Sequence, residues 1–253
     1  MKKITIVCKK DNSIIDRKIA VFFNAWIMDH IGEEQASLFH ENGEKPYAIH
    51  SEVLHNKLNL VVSLLDQKQT SSIEQLLLKI DGEKLHLKSV ASSELQVDYV
   101  EVTELKEKEL TNYFYEVEAP RELRLEFITP TAFKSHGNYI FMPNIRLIFQ
   151  NLMRKYNWIF ENSNHIDVEL LDKLCDSIFI KSFKIQSSYY SIHKTYIPGF
   201  VGNIKIKCTG VQTLVNFMYV LLKFGEYSGV GIKTGLGMGA IRLEKVERNR
   251  NNG

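Results

Sequence analysis

Cysteine is scarce in this chain: three in 253 residues, at Cys8, Cys175 and Cys208, with no CxxC pair among them. A set so odd and scattered argues against a disulfide framework and against a thiolate zinc site. Long apolar runs are missing too. None approaches the ~20 residues that span a bilayer, so no membrane partner is expected. The amino terminus, MKKITIVCKKDNS, has two lysines but only a four-residue apolar stretch before charge returns. A signal peptide needs a longer apolar centre, and a cytoplasmic protein is the expectation. No cluster of carboxylates has two-metal character, and the histidines lack metal-ligand spacing. Neither a metal nor a cofactor is expected.

What is present fits a globular protein, with 44% hydrophobic and 25% charged residues. The length suits one large domain or two small ones. The net charge of +2 is uninformative, but its distribution is not. Residues 1–120 hold 14 Lys/Arg against 20 Asp/Glu, and residues 121–253 hold 18 against 10. Phe127–Phe160 has no carboxylate yet carries Lys134, Arg146, Arg154 and Lys155. Ser177–Gly225 has none either, and holds Lys181, Lys184, Lys194, Lys205, Lys207 and Lys223. Such stretches suit a polyanion binder. They suit equally a solvated basic face balanced by the acidic half.

Periodicity divides the chain into elements. Residues 3–9 alternate as a strand, and Ile19, Phe22, Phe23, Trp26 and Ile27 mark a helix over 18–31. A short helical turn ends near His40, and Glu41–Pro46 is a loop by composition. Strands are expected at 47–53 and 58–65, a helix at 71–79 and a strand at 95–102. The second half repeats the order. A strand at 122–127 enters a turn at Thr129–Thr131, and Pro143 should open a helix at its first position. Strands follow at 177–191 and 196–209, then a helix from Gly210 to Phe224 with Gly225 as its C-cap, and a last strand at 240–246. Only the tail RNRNNG looks disordered. The expectation is an α+β fold of two tandem ferredoxin-like domains, residues 1–120 and 121–253, each an antiparallel sheet with helices on one face.

Between the last helix and strand lies GVGIKTGLGMG, Gly229–Gly239, with five glycines in eleven positions. Glycine permits positive φ and close approach of a ligand to the backbone, and exposed N–H groups beside Lys233 suit phosphate. A P-loop is excluded because Ile232 precedes Lys233 where glycine is required, and the helix-to-strand placement excludes a dinucleotide fingerprint. A tight connection alone would also use these glycines.

The spacing Gly-hydrophobic-Gly, five residues with one basic, Gly-hydrophobic-Gly resembles the C-terminal signature of the repeat-associated RNA-binding proteins of CRISPR systems. LFHENGEKP at Leu38–Pro46, SHGNYIFMPNIRLIFQNLMRKYN at Ser135–Asn157 and GFVGNIKIK at Gly199–Lys207 are similar, in order, to segments of the Cas6 family of endoribonucleases. The resemblance spans nearly the whole chain. It implies two ferredoxin-like domains and metal-independent cleavage of CRISPR precursor RNA within its repeats, leaving 2′,3′-cyclic phosphate and 5′-hydroxyl ends. The alternative is a non-catalytic RNA-binding subunit of an effector complex. Repeat RNA is the expected partner, with other effector subunits and a homodimer left open.

Cleavage by the RNA's own 2′-OH needs a proton taken, a proton given and charge stabilised on the phosphorane. Histidine and lysine suit those tasks. His40 and Lys45 lie five residues apart across a loop containing glycine, and the family's catalytic histidine falls where His40 stands. Its usual helical tyrosine has no counterpart between Ala20 and Ile31, which makes His30 the substitute and Tyr47 the other candidate. The expected RNA-binding set is Lys233, Gly231, Gly235, Gly237, Gly239, Arg242, Lys134, Arg146, Arg154 and Lys155. Tyr189, Tyr190 and Tyr196 could stack on bases or be packing residues.

Overall fold

The computed structural model describes residues 1–9, 19–41, 43–87, 94–192 and 195–245, with the backbone alone at 40, 41 and 245. Lys18, His193, Lys194, Val246 and the tail RNRNNG lie outside the described residues. Two antiparallel sheets organise the chain. The first is built from β1 (Lys2–Lys9), β2 (Tyr47–Leu54), β3 (Lys57–Leu64), β4 (Lys84–His86) and β5 (Glu94–Glu104), in the order β2-β3-β1-β5-β4. On one face pack α1 (Ile19–His30), α2 (Glu33–Glu41) and α3 (Ser71–Leu78). The second sheet takes β6 (Glu122–Thr131), β9 (Ile178–Ile192), β10 (Thr195–Cys208) and β11 (Ile241–Lys245), in the order β11-β6-β10-β9. Its helices are α5 (Ile145–Glu161), α6 (Val168–Asp176) and α7 (Gln212–Ser228). A helix α4 (Glu107–Tyr115) joins the two, and a hairpin of β7 (Phe133–Ser135) and β8 (Asn138–Ile140) follows β6.

Setting the extra strand β4 aside, each sheet places its first strand between its third and fourth, with the second strand outside the third. This is the ferredoxin-like order, and its alternation explains the packing. Ile4, Ile6 and Cys8 on β1 meet Leu58, Leu60, Val62 and Leu64 on β3 beneath Phe23 and Ile27 of α1. Leu123, Leu125 and Phe127 on β6 repeat this against Ile204 and Ile206 of β10, covered by Phe149, Leu152, Met218 and Leu222. At about 25 cal/mol per Å² these buried faces dominate the driving force for folding. Among the described residues no helix is long and apolar enough to cross a membrane.

Three expectations need correction, and several elements were not expected at all. β6 runs straight through Thr129–Pro130–Thr131 instead of turning there. The register against β10 jumps from Gly202↔Phe127 to Phe200↔Thr131, and this bulge spares the ladder the N–H that Pro130 lacks. Pro143 is not the first helical residue of α5. Asn144 is the N-cap, its side chain accepting the Leu147 N–H at 2.9 Å, so Pro143 stands one residue outside. Gly225 lies inside α7, where a Cβ would press on Leu152 and Ile241, and the true C-cap is Gly229 at φ +64°. α4, α6, β4 and the β7–β8 hairpin were not anticipated. The hairpin turn uses His136 at φ +47° and Gly137 at φ +82°, the doubly left-handed pattern of a tight I′ turn.

The sheets meet along β2, α7 and the glycine-rich segment. Arg242 on β11 spans this junction, donating to Glu126 of β6 at 3.1 Å and to Glu52 of β2 at 2.7 Å. Lys3 of β1 sits 4.5 Å from the ring centroid of Tyr227 on α7. Arg242→Met should therefore lower stability by about 1–3 kcal/mol, because Glu52 is left mostly buried and unpaired. Urea denaturation checks this, and a midpoint equal to the wild type would mean that the triad contributes nothing.

Candidate RNA-binding and active-site cleft

Folding brings segments distant in sequence around one cleft of about 730 Å³. Helix α1 presents Val21, Asn24, Ala25, Met28 and Asp29, which recur at helical spacing and so share a face. The segment after α2 supplies Gly43, Glu44 and Lys45, and β2 adds Tyr47. The opposite wall is the glycine-rich turn, residues 231–236, backed by Arg154 and Lys155 of α5.

The turn owes its shape to internal hydrogen bonds. Val230 N–H donates to the Gly239 carbonyl at 2.8 Å, and Ile232 N–H donates to Ala132 at 3.0 Å. Gly239 N–H reaches Pro130 at 3.1 Å, and Gly231 N–H reaches the Asn151 side chain at 2.8 Å. A short 3-10 turn, Thr234–Leu236, rests on Lys233, a non-glycine residue at φ +57°. The backbone N–H groups of Lys233, Thr234 and Gly235 have no partner among the described residues. Glycine is required by contact at Gly231, where a Cβ would run into the Ala132 carbonyl, and at Gly239, where it would meet that of Val230.

Facing the turn, Tyr47 is buried and its hydroxyl donates to the Asn24 side chain at 3.0 Å. Burial pushes its pKa well up, so this hydroxyl is a donor, not a base. Its ring meets Phe39 edge-on at 5.3 Å, which ties β2 to the last turn of α2. Lys45 has its pKa lowered, first by burial and then by the charge of Lys233. Both ammonium groups thus act on the same cleft. A Cβ on Gly235 would lie 3.4 Å from the Tyr47 ring and 3.5 Å from the Lys45 stem, so the two walls touch here.

The expected site residues separate into groups. Lys45, Lys233 and Arg154 come together at the cleft, although Arg154 is held by Glu44 at 3.0 Å. His40 belongs to the final turn of α2, next to buried Phe39, and its side chain lies outside the described residues. His30 does not join them. It falls off the face that carries Asn24 and Met28, its Nδ1 lies 2.7 Å from the Trp26 carbonyl, and its ring stacks on Trp26 at 4.4 Å. Lys155 is a correction as well: it is 5% exposed beneath the turn and not on the surface. Arg146, eight residues before Arg154 and so roughly 12 Å along the helix, pairs with Asp172 of α6. Arg242 is committed to its two carboxylates. Lys134 is exposed on β7 and makes no ion pair among the described residues. Tyr190 is buried and donates to the Leu236 carbonyl at 2.7 Å, so it supports the turn from within and is not displayed to a base, while Tyr189 and Tyr196 are exposed.

Asn24, Asn151 and Thr234 were not anticipated. Each matters through a partner far away in sequence, and periodicity carries no signal for that. Among the described residues no group of three or more His, Cys, Asp or Glu converges.

Comparison with known proteins agrees along the whole chain. Residues 125–241 match the family model described as CRISPR-associated endoribonuclease Cas6. A Streptococcus thermophilus protein named CRISPR-associated endoribonuclease Cas6 is 36% identical over 248 residues, covering 97% of this chain and 99% of that one. A Mycobacterium tuberculosis protein of the same name is 39% identical over 133 residues, 53% of this chain and 42% of that one. Among solved structures, a Cas6 product complex superposes with a TM-score of 0.78 at 20% identity, covering 96% of this chain and 99% of that one. Thermus thermophilus Cas6 gives 0.70 at 18% identity, with 96% and 98% covered, and at such identity these likenesses speak for the fold. Identity over nearly the full length of both chains makes this protein a member of the CRISPR-associated endoribonuclease Cas6 family.

Proposed function

We propose that this protein cuts CRISPR precursor RNA within its repeats, without a metal, leaving a 2′,3′-cyclic phosphate and a 5′-hydroxyl. The observation that carries the reading is the convergence of Lys45 and Lys233 on one cleft beside backbone N–H groups that have no partner among the described residues. A polyanion is the ligand that such a wall favours. In the proposed reaction His40 takes the proton from the 2′-hydroxyl, whose oxygen attacks the adjacent phosphorus. The bond from phosphorus to the 5′ oxygen then breaks, and that oxygen acquires a proton. Lys45 offsets the charge that builds on the phosphorane. Tyr47 acts through Asn24, keeping the catalytic segment against α1, and takes no proton. The same reading divides the chain after Pro120 into a catalytic half, 1–120, and a binding half, 121–253, in line with its two sheets.

Incubation with a synthetic repeat RNA in excess EDTA tests the reading. Cleavage to a cyclic phosphate end supports it. RNA that shifts on a gel but stays intact would leave a binding subunit in place of a nuclease. Lys233→Ala addresses the turn separately. Since Lys233 is exposed and makes no ion pair among the described residues, its loss should weaken binding and reduce the salt slope by about 1. An unchanged slope, measured by fluorescence anisotropy across a salt series, would remove phosphate contact from its role.

A further inference from the structure

One charged side chain near the cleft is used by no step above. Lys155 is 5% exposed, and an ammonium in that setting is strongly disfavoured unless its donors are matched. Here they are matched one to one. The Nζ donates to the Ser228 carbonyl at 3.1 Å, to the Gly229 carbonyl at 3.2 Å and to the Thr234 hydroxyl at 3.1 Å. Two of these acceptors are end carbonyls of α7, where a cation also meets the negative end of the helix dipole. The third lies in the 3-10 turn that faces the cleft. A single ammonium therefore fastens the end of α7 to the tip of the glycine segment. One helical turn earlier, Asn151 accepts the Gly231 N–H at 2.8 Å, so two rungs of α5 hold the segment at both shoulders.

We propose that Lys155, seconded by Asn151, is a positioning residue that fixes the glycine turn in its RNA-receiving shape from beneath and does not itself meet RNA. The proposal rests on the reading of the cleft as an RNA site. Three features support it. The ammonium has three N–H donors, and all three are spent inside the protein. Burial lowers its pKa to about 8, Glu44 opposing that shift and Arg154 adding to it, so the charge is held at a cost and not displayed. Lys233, Thr234 and Gly235, whose N–H groups have no partner among the described residues, sit on the short turn that Lys155 anchors through Thr234. A methionine of similar length would fill the space and hold neither α7 nor the turn.

The test uses the full chain labelled with [15N]glycine, which reports on 14 sites, five of them from Gly229 to Gly239. In RNA-free Lys155→Met, the amide resonances of these five are expected to move or broaden, while those of Gly32 and Gly82 stay in place. The Kd for repeat RNA should rise about tenfold or more, since three charge-assisted hydrogen bonds shape the site. The single-turnover rate at saturating protein should change by less than about threefold, and the salt slope of binding should hold. Thr234→Val removes one acceptor at constant volume. It should reproduce the resonance shifts at smaller amplitude, and serves where Lys155→Met does not fold. Unmoved glycine resonances in both variants would overturn the proposal. Unmoved resonances with a salt slope lower by about 1 would overturn it in favour of a direct phosphate contact. A wild-type protein that leaves repeat RNA unbound would instead sink the functional reading, and the glycine spectra of the RNA-free protein judge the brace independently of that result.

Discussion

Replacing His40 with alanine is expected to slow single-turnover cleavage of bound repeat RNA by about 10²–10⁴-fold, the usual worth of a positioned proton-transfer group. The Kd should stay within about threefold, because Lys233 and the glycine-rich turn, proposed above to bind phosphate, stand on the opposite wall and Lys45 is unchanged. The prediction rests on how the end of α2 is held. Phe39 is fully buried against Tyr47, and Tyr47 is bonded to Asn24, so the residue that precedes His40 is anchored to β2 and, through it, to α1. Lys45→Ala should cost about 10²–10³-fold in rate, as expected for a group acting on transition-state charge. The pKa of Lys45 is lowered, and only its charged form offsets the phosphorane. Its contribution is therefore present at low pH and is lost as pH rises, earlier than for an ordinary lysine. His30→Ala is the comparison, and its rate should match the wild type, since its ring lies against Trp26. A His40→Ala enzyme as fast as the wild type would move the reaction centre elsewhere.

Two glycines of the same turn should behave oppositely. At Gly231, with φ +84°, a Cβ would meet the carbonyl of Ala132, the group that accepts the Ile232 N–H. Gly231→Ala must therefore strain the backbone, at roughly 1–3 kcal/mol, and lengthen that hydrogen bond. The turn's wall of N–H groups would move with it, and a rise in Kd of about 10²-fold is expected from a displacement that spoils several phosphate contacts at once. At Gly235 no positive φ is required, and a Cβ would make ordinary contacts with Tyr47 and Lys45. Gly235→Ala should keep its melting temperature and bind RNA within about threefold of the wild type. Anisotropy titrations and thermal melts of both variants decide the matter. Equal affinities for the two would show that the shape of the turn is irrelevant to binding.

Much of the framework was legible from residue order. Alternation in KITIVCK, the helical spacing of Ile148 and Leu152 and the glycine spacing in GVGIKTGLGMG rest on rules of period and backbone conformation that act over a few residues. Where the reading failed, a distant partner had decided the outcome. Gly225 looked like a cap because nothing local shows that Leu152 and Ile241 press on that spot and leave room for hydrogen alone. Pro130 looked like a turn because the bulge that accommodates it is made with β10, about seventy residues on. The hairpin at His136–Gly137 carried a usable signal in its turn pair. α6 also advertised itself through Asp167 at its N-cap and the spacing of Leu170, Leu171 and Leu174.

For the basic residues the division is sharper. Sequence alone determined that the second half carries the positive charge and that a glycine turn with one lysine stands between helix and strand. It could not determine which cations remain available, because availability is set by neighbours. Arg242 is taken by Glu52 and Glu126, Arg146 by Asp172, and Lys155 by two carbonyls and a hydroxyl, all remote in sequence. Lys233 is exposed at the start of the short 3-10 turn, and no carboxylate among the described residues pairs with it. The sequence thus pointed to an RNA-binding protein through its glycine spacing and its resemblance to a family, while its charge pattern suited a solvated basic face equally. Only the tertiary structure chose the cleft, since a charge is spent or available according to what the rest of the chain places within a few ångströms of it.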